Sequence, residues 1–307
     1  MKSFKRWGEI RDPVHGYIIV SDLEKQLIDT PAVQRLRRIK QLAGAHLTYP
    51  GAEHSRFSHS LGAMHVAGLQ ANRLLQLEHV SQDEVQLLRA AGLLHDLGHG
   101  PFSHVYEEVL SEKRGLTHED LTKWLVKESE VGDVLSKHGF SPQEVSDLSV
   151  GMLKTDRVFM NHVIASNFDA DVMDYLLRDA YFTGVEYGRV DIHRLIDSLD
   201  VIESTLAVDM AAYYALEAFV IARYEMFKAV YFHRSVRAGE VMLIEAMSYA
   251  DEELGITSFK SPDEYLSLDD HVLMSKLLSI KEGAKRELRF AKQLAKDFIE
   301  RRLYKCA

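Results

Sequence analysis

The chain has 307 residues, 46% of them apolar and 27% charged, with 18 Gly and 6 Pro. At about 100–200 residues per domain this allows one large folded domain or two modest ones, and it excludes disordered, collagen-like and low-complexity organisation. Thirty-seven basic and 46 acidic residues leave a net charge of −9, a poor match to a protein whose main affinity is for a nucleic-acid backbone, although a local basic patch is compatible with it.

A single cysteine, Cys306, leaves no intrachain disulfide or thiolate cluster and points to a reducing, intracellular setting. The opening MKSFKRWGEI has no apolar run after its lysines, so no secretory signal is expected. The longest apolar stretch worth testing, 210–222, contains Glu217 and is too short to span a membrane. The expectation is a soluble, cytoplasmic protein without membrane contact.

The turn-like Asp12-Pro13-Val14-His15-Gly16 predicts a short strand over 17–20. Thr30-Pro31 reads as a helix start, Thr30 capping and Pro31 at the first helical position. Val33, Leu36, Ile39 and Leu42 then recur at helical spacing, with Arg35, Arg37, Arg38 and Lys40 between them. Ser58 is placed to cap a helix reaching about Leu77, and the apolar pattern from Asp83 to about Leu97 predicts a buried helix ended by Gly98-His99-Gly100-Pro101. Further helices are expected over 103–111 and 171–179, a small hairpin over 198–208, and one long helix or two over 210–254. From about Ser261 the chain reads as helical and increasingly basic. With no internal repeat or flexible linker, the fold expected is mainly α around a shared core.

His95-Asp96 closes an otherwise apolar helix, where a carboxylate is costly unless paired or coordinated. His59 lies near a predicted helix start, and Asp169, Asp171 and Asp174 crowd into another. One histidine, the His-Asp pair and a later aspartate form a nitrogen–oxygen donor set suited to Mn, Fe, Ni, Zn or Mg, with room for water and phosphate. Spacing alone leaves open a hydrogen-bonded pair at a capped helix end. His99, His104 and Glu107 follow directly, two imidazoles and a carboxylate of the kinds that metal-assisted hydrolysis uses, although a turn histidine and a solvent-facing helix residue are the plain alternatives for His99 and His104.

The segments IRDPVHGYI, IDTPAVQRLRRIKQLAGA, YPGAEHSRFSHSLGAMHVAG, AAGLLHDLGHGPFSH, THE and DADVMDYLLRDAYFTG resemble the HD-domain phosphohydrolases, best the branch of the deoxynucleoside triphosphate (dNTP) triphosphohydrolases, over roughly residues 9–250. The resemblance implies an HD-domain helical core with a small β hairpin and additional C-terminal helices: an HD-type domain with its helical extension over 1–260, then a basic helical segment over 261–307 belonging to a truncated C-terminal region. It implies one divalent metal (Mn, Fe, Ni, Zn, Co or Mg) held by His59, His95, Asp96 and Asp171, with Mg accompanying the substrate phosphates. His99, Glu107 and His118 would be catalytic, His104 and Arg56 would face phosphate, and Gln41, Leu42, Tyr175 and Asp179 would hold the sugar. Asp29, Gln34 and Arg37 match positions that bind an activating GTP or dGTP between subunits, and a homodimer or homotetramer is implied.

Two departures stand out. Glu107 replaces an aspartate of the proton relay, and Val172 replaces a phosphate-binding lysine, leaving Arg56, Arg178 or Lys228 to carry that charge. Arg223, His233 and Arg237 are placed to approach the nucleotide, while the aromatics around them are expected to fill core. The reading from sequence is therefore dNTP hydrolysis to deoxynucleoside and tripolyphosphate. The alternatives are an HD phosphatase or phosphodiesterase on another nucleotide or phosphoester, and a nucleotide-sensing or nucleic-acid-binding protein with little turnover.

Overall fold

The computed structural model describes residues 5–305, so Cys306 lies outside the described residues. Helices dominate, accompanied by two antiparallel hairpins: β1 (Arg6–Asp12) with β2 (Gly16–Ser21), and β3 (Leu199–Ile202) with β4 (Thr205–Val208). The second hairpin falls where the weak alternation over 198–208 placed it. The first is longer than the sequence suggested, because β1 alternates too weakly to be seen without its partner.

The helix Arg56–Gln76 is the axis of the fold, packed between the helices Gln82–Leu94 and Ala170–Thr183. Met64, Val66, Ala67, Leu88, Leu93, Met173 and Leu176 are wholly buried there, each large side chain contributing roughly 1.5–3 kcal/mol. The same apolar core runs from Ile18 to Phe298, so the helices beyond residue 260 share it. Ser81 with Glu84, and Thr117 with Asp120, form capping boxes, and the Asp169 side chain accepts from the Val172 amide. These caps set where three helices begin or turn. Among the described residues no helix is long and apolar enough to cross a membrane.

Several local expectations change. The segment after Thr30 is helical only over Pro31–Arg35 and a tighter turn at Leu36–Arg38. The chain must then extend, because Lys40 bridges Ser55 and the Ile39 carbonyl accepts from the Arg56 amide. The Thr30 hydroxyl does not cap; it donates to the Leu27 carbonyl. Ser55, not Ser58, occupies the cap position of the long helix, and Ser58 donates to the Ser55 carbonyl from inside the first turn. Of the one long helix or two expected over 210–254, the structure has two, Tyr213–Met226 and Arg234–Leu254, separated by a π turn at Phe227–Tyr231 and extended backbone at His233. Four helices over 118–164 escaped the sequence reading altogether: His118–Glu128, Glu130–Lys137, Pro142–Ser149 and Phe159–Ile164.

Candidate metal centre and adjoining cavity

The histidines and carboxylates singled out in the sequence sit at helix ends. His59 lies in the first turn of Arg56–Gln76, His95 at the C-cap of Gln82–Leu94, and Asp171 in the first turn of Ala170–Thr183. His59 Nε2 stands 3.2 Å from His95 Nε2 and 2.9 Å from Asp171 Oδ1. Asp96 completes the cluster, 3.5 Å from His59 Nε2 and 3.3 Å from His95 Nε2.

The far side of each imidazole is committed elsewhere. His59 Nδ1 is 2.8 Å from Asp174 Oδ2, and His95 Nδ1 is 2.9 Å from the Gly92 carbonyl. Those partners only accept, so each Nδ1 carries the proton and the two Nε2 lone pairs face one another. Two converging lone pairs flanked by two carboxylates are a donor set that could hold a cation. Without an ion the charge balance falls on protons. Burial opposes a charged His59, yet Asp171 and Asp174 overcome it and raise its pKa to about 10. Burial works against ionised Asp171 as well, and hydrogen bonds from His59 and His95 hold it well below the usual carboxylate range. The four residues fit a divalent ion of the borderline type.

Asp174 anchors this arrangement from behind. It accepts from His15 at 2.6 Å and from Arg178 at 2.8 and 2.9 Å, and Arg178 also donates to Asp12 at 2.9 Å. Asp171, Asp174 and Arg178 recur at three- and four-residue intervals, which puts them on one helical stripe. Gly62 permits the close approach, since a Cβ there would lie 1.8 Å from Asp174 Oδ1. Arg178 is fully buried and engaged, so it is not available to phosphate as the sequence suggested. Val172 is buried in the core.

Beside the cluster, Glu107 joins two histidines: Oε1 accepts from His118 Nδ1 at 2.6 Å and Oε2 from His104 Nδ1 at 3.0 Å. His99 stacks on His118, ring centroids 4.1 Å apart, and its Nε2 lies 3.3 Å from Asp96 Oδ1. Its Nδ1 is buried without a hydrogen-bond partner. Burial, together with Arg56 and His118, depresses the His99 pKa well below the ordinary imidazole value, which leaves a neutral ring with one bare lone pair. Gly98 lets this turn seat on the next helix, as a Cβ would lie 2.0 Å from the His118 carbonyl oxygen.

A cavity of about 320 Å³ opens next to these groups. Gln41, Leu42, Arg56, His104, Tyr175 and Asp179 all line it. Arg56 links the two regions, bonding Asp96 and, through Nε at 2.7 Å, the Ser103 hydroxyl. Asp179 is held by His54 Nε2 at 2.7 Å and by the Tyr231 hydroxyl at 2.8 Å. Burial raises the Tyr231 and Tyr175 phenols above their ordinary value, so both remain hydroxyl donors. Phe227, Tyr231, Phe232 and Arg237 line the cavity too, so these aromatics are not simply core as expected. Lys228 is exposed over the Tyr224 ring, and His233 accepts from the Ser235 amide. His15 and His54 had no role assigned from sequence, although DPVHGY and GAEHSRF contain them.

The three effector candidates lie outside the cavity lining. Asp29 pairs with Lys25, Gln34 donates to the Ile28 carbonyl at 2.8 Å, and Arg37 donates to Gln34 at 2.9 Å while covering the Phe57 ring.

Comparison with known families places this geometry. The HD domain family matches residues 56–178, and the HD associated region matches residues 190–307. The chain belongs to the HD-domain phosphohydrolase superfamily. It is 38% identical to the uncharacterized protein YwfO of Bacillus subtilis, over 96% of this chain and 70% of that protein. It is 32% identical to the deoxynucleoside triphosphate triphosphohydrolase SAMHD1 homolog of Dictyostelium discoideum, over 96% of this chain and 59% of that one. It is also 29% identical to human deoxynucleoside triphosphate triphosphohydrolase SAMHD1, over 96% and 54%. The chain thus spans little more than half the length of several curated relatives. Within the HD match lie His59, His95, Asp96, His99, Glu107, His118 and Asp171.

Proposed function

We propose that this HD phosphohydrolase hydrolyses a deoxynucleoside triphosphate to deoxynucleoside and tripolyphosphate. The observation that carries the reading is the cavity itself. Six residues suited to a sugar and phosphates surround one space, and Arg56 joins it to the four-residue cation site.

His59, His95, Asp96 and Asp171 would hold the metal, which supplies phosphate polarisation and an acidified water. Arg56 faces the α-phosphate from the cavity wall while remaining paired to Asp96. The His118–Glu107–His104 chain, with neutral His99 stacked on His118, carries protons between water and the leaving oxygen. Asp179, pre-oriented by His54 and Tyr231, reads a sugar hydroxyl, and the flanking Tyr175 and Leu42 crowd the ring. A GTP or dGTP effector at Asp29, Gln34 and Arg37, and a homo-oligomer, belong to the same proposal. The test is to incubate the metal-reconstituted chain with each dNTP and rNTP, with and without GTP, and separate the products. Tripolyphosphate with deoxynucleoside is expected. Monophosphate with pyrophosphate would reject the reading.

Val172 and the sequestered Arg178 support a second reading, in which the substrate is a nucleotide or phosphoester with fewer phosphates. Inorganic phosphate released from a nucleoside monophosphate, with dNTPs inert, would favour it.

A further inference from the structure

The turn between Gln82–Leu94 and His104–Arg114 carries His99, and its shape is not one the chain would adopt unaided. Two consecutive non-glycine residues, Phe102 and Ser103, have φ of 56° and 59°. Such side chains occupy the left-handed region only where the surroundings impose it.

The surroundings here come from distant parts of the chain. Asp270 Oδ1 accepts from the Phe102 amide at 2.7 Å, and its other oxygen accepts from the Lys40 amide at 2.9 Å. One carboxylate therefore fixes the strained turn to the strand-like segment that leads into Gln41. The Tyr265 hydroxyl donates to the Gly98 carbonyl at 2.7 Å. Arg35 Nη1 donates to the His99 carbonyl at 2.9 Å, Arg35 Nε donates to the Leu268 carbonyl at 2.7 Å, and its guanidinium lies 4.6 Å from the Tyr265 ring centroid. All three side chains are buried.

We propose that Arg35, Tyr265 and Asp270 are positioning residues that hold the 98–103 turn in the shape catalysis needs, so that the C-terminal region completes the active centre without touching substrate. Filling a core does not call for these residues. Arg35 meets carbonyls rather than a carboxylate, and burial lifts the Asp270 carboxyl to about 6, so its charge is tolerated rather than favoured. What polar groups add is direction, since each of the three side chains meets one backbone atom of the turn: the Phe102 amide, the Gly98 carbonyl and the His99 carbonyl. Together they bracket His99, whose imidazole must stay stacked on His118 and within reach of Asp96.

The kinetic consequence rests on the hydrolase reading above; the structural one does not. Tyr265→Phe, which removes one hydroxyl, and Asp270→Asn are prepared in the full, metal-loaded chain. Amide hydrogen exchange, metal content and kcat and KM for the nucleotide that the parent protein hydrolyses are then measured. Exchange over 98–104 is expected to rise about tenfold or more while that of Arg56–Gln76 stays unchanged. The expected kcat falls by about 10–100-fold at unaltered KM and metal content, in protein that stays folded at the assay temperature, the scale set by a small misplacement of reacting groups. Should Asp270→Asn fail to fold, Tyr265→Phe and Arg35→Lys carry the same measurement. Unchanged exchange in the turn, or faster exchange at full kcat, overturns the proposal. If the parent protein hydrolyses no nucleotide, the hydrolase reading fails by itself and the exchange over 98–104 decides whether the brace exists.

Discussion

Replacing Asp174 by asparagine should weaken metal binding although the residue is not among the four facing donors. The carboxylate accepts four bonds: from His15 at 2.6 Å, His59 at 2.8 Å, and Arg178 at 2.8 and 2.9 Å. Burial disfavours its charge, but Arg178 and the two histidines hold it well below the usual carboxylate range. Asparagine offers one accepting oxygen and turns its NH2 toward donors, so at least one of the four bonds becomes a donor–donor clash. Arg178 would keep only Asp12 as a charged partner. Removing one member of a buried charge pair costs about 3–5 kcal/mol, a fall in melting temperature on the order of 10 °C. Loss of the His59 partner should lower metal affinity about 10–100-fold. Titration calorimetry with Mn, well below the melting transition, and a thermal melt give both numbers. Unchanged Mn affinity in a folded Asp174→Asn protein would refute the claim that Asp174 sets the orientation of His59.

Three further outcomes follow from the geometry. Burial, with His15 and Arg89 nearby, depresses the His65 pKa to about 4. Its folded pKa lies below the unfolded value, so this contribution is complete above about pH 6.5 and is lost as pH falls toward 4, at most about 3 kcal/mol; denaturant unfolding of His65→Phe should lack that part of the parent's pH dependence. Gly98→Ala would place a Cβ 2.0 Å from the His118 carbonyl oxygen, and steady-state assays should show about 100-fold lower kcat with metal retained. His54→Leu removes the 2.7 Å partner of Asp179 and should raise KM by about 10–100-fold at unchanged metal content, measured by substrate titration and elemental analysis.

Much of the site was legible because its residues lie in short runs with a chemical reason. A His-Asp pair ending an apolar helix announced itself, and the cavity-lining set followed from the family resemblance. What stayed hidden depends on long-range pairing. His15 meets Asp174 across 159 residues, and His54 meets Asp179 across 125. Neither periodicity nor spacing records such contacts. Arg35 read as one of four basic residues set between apolar positions, yet it is buried, and the carbonyls of Leu268 and His99, far apart in the chain, accept from it. The break at Phe227–Tyr231 carries no Gly or Pro to mark its position, so the sequence was compatible with one helix or two; within it the Tyr231 hydroxyl donates to Asp179. The helices over 118–164 were missed because they are short; three of the four are started by the capping residues Thr117, Ser129 and Ser141 rather than by long apolar stripes.

The central claim, attack of water on the α-phosphorus of a dNTP, is tested most directly by hydrolysis in water carrying a heavy oxygen isotope, with Asp96→Ala as the control. The account predicts label in tripolyphosphate, unlabelled deoxynucleoside, and no turnover by the Asp96→Ala protein. Label in the nucleoside, a labelled monophosphate as product, or full turnover by Asp96→Ala would contradict it.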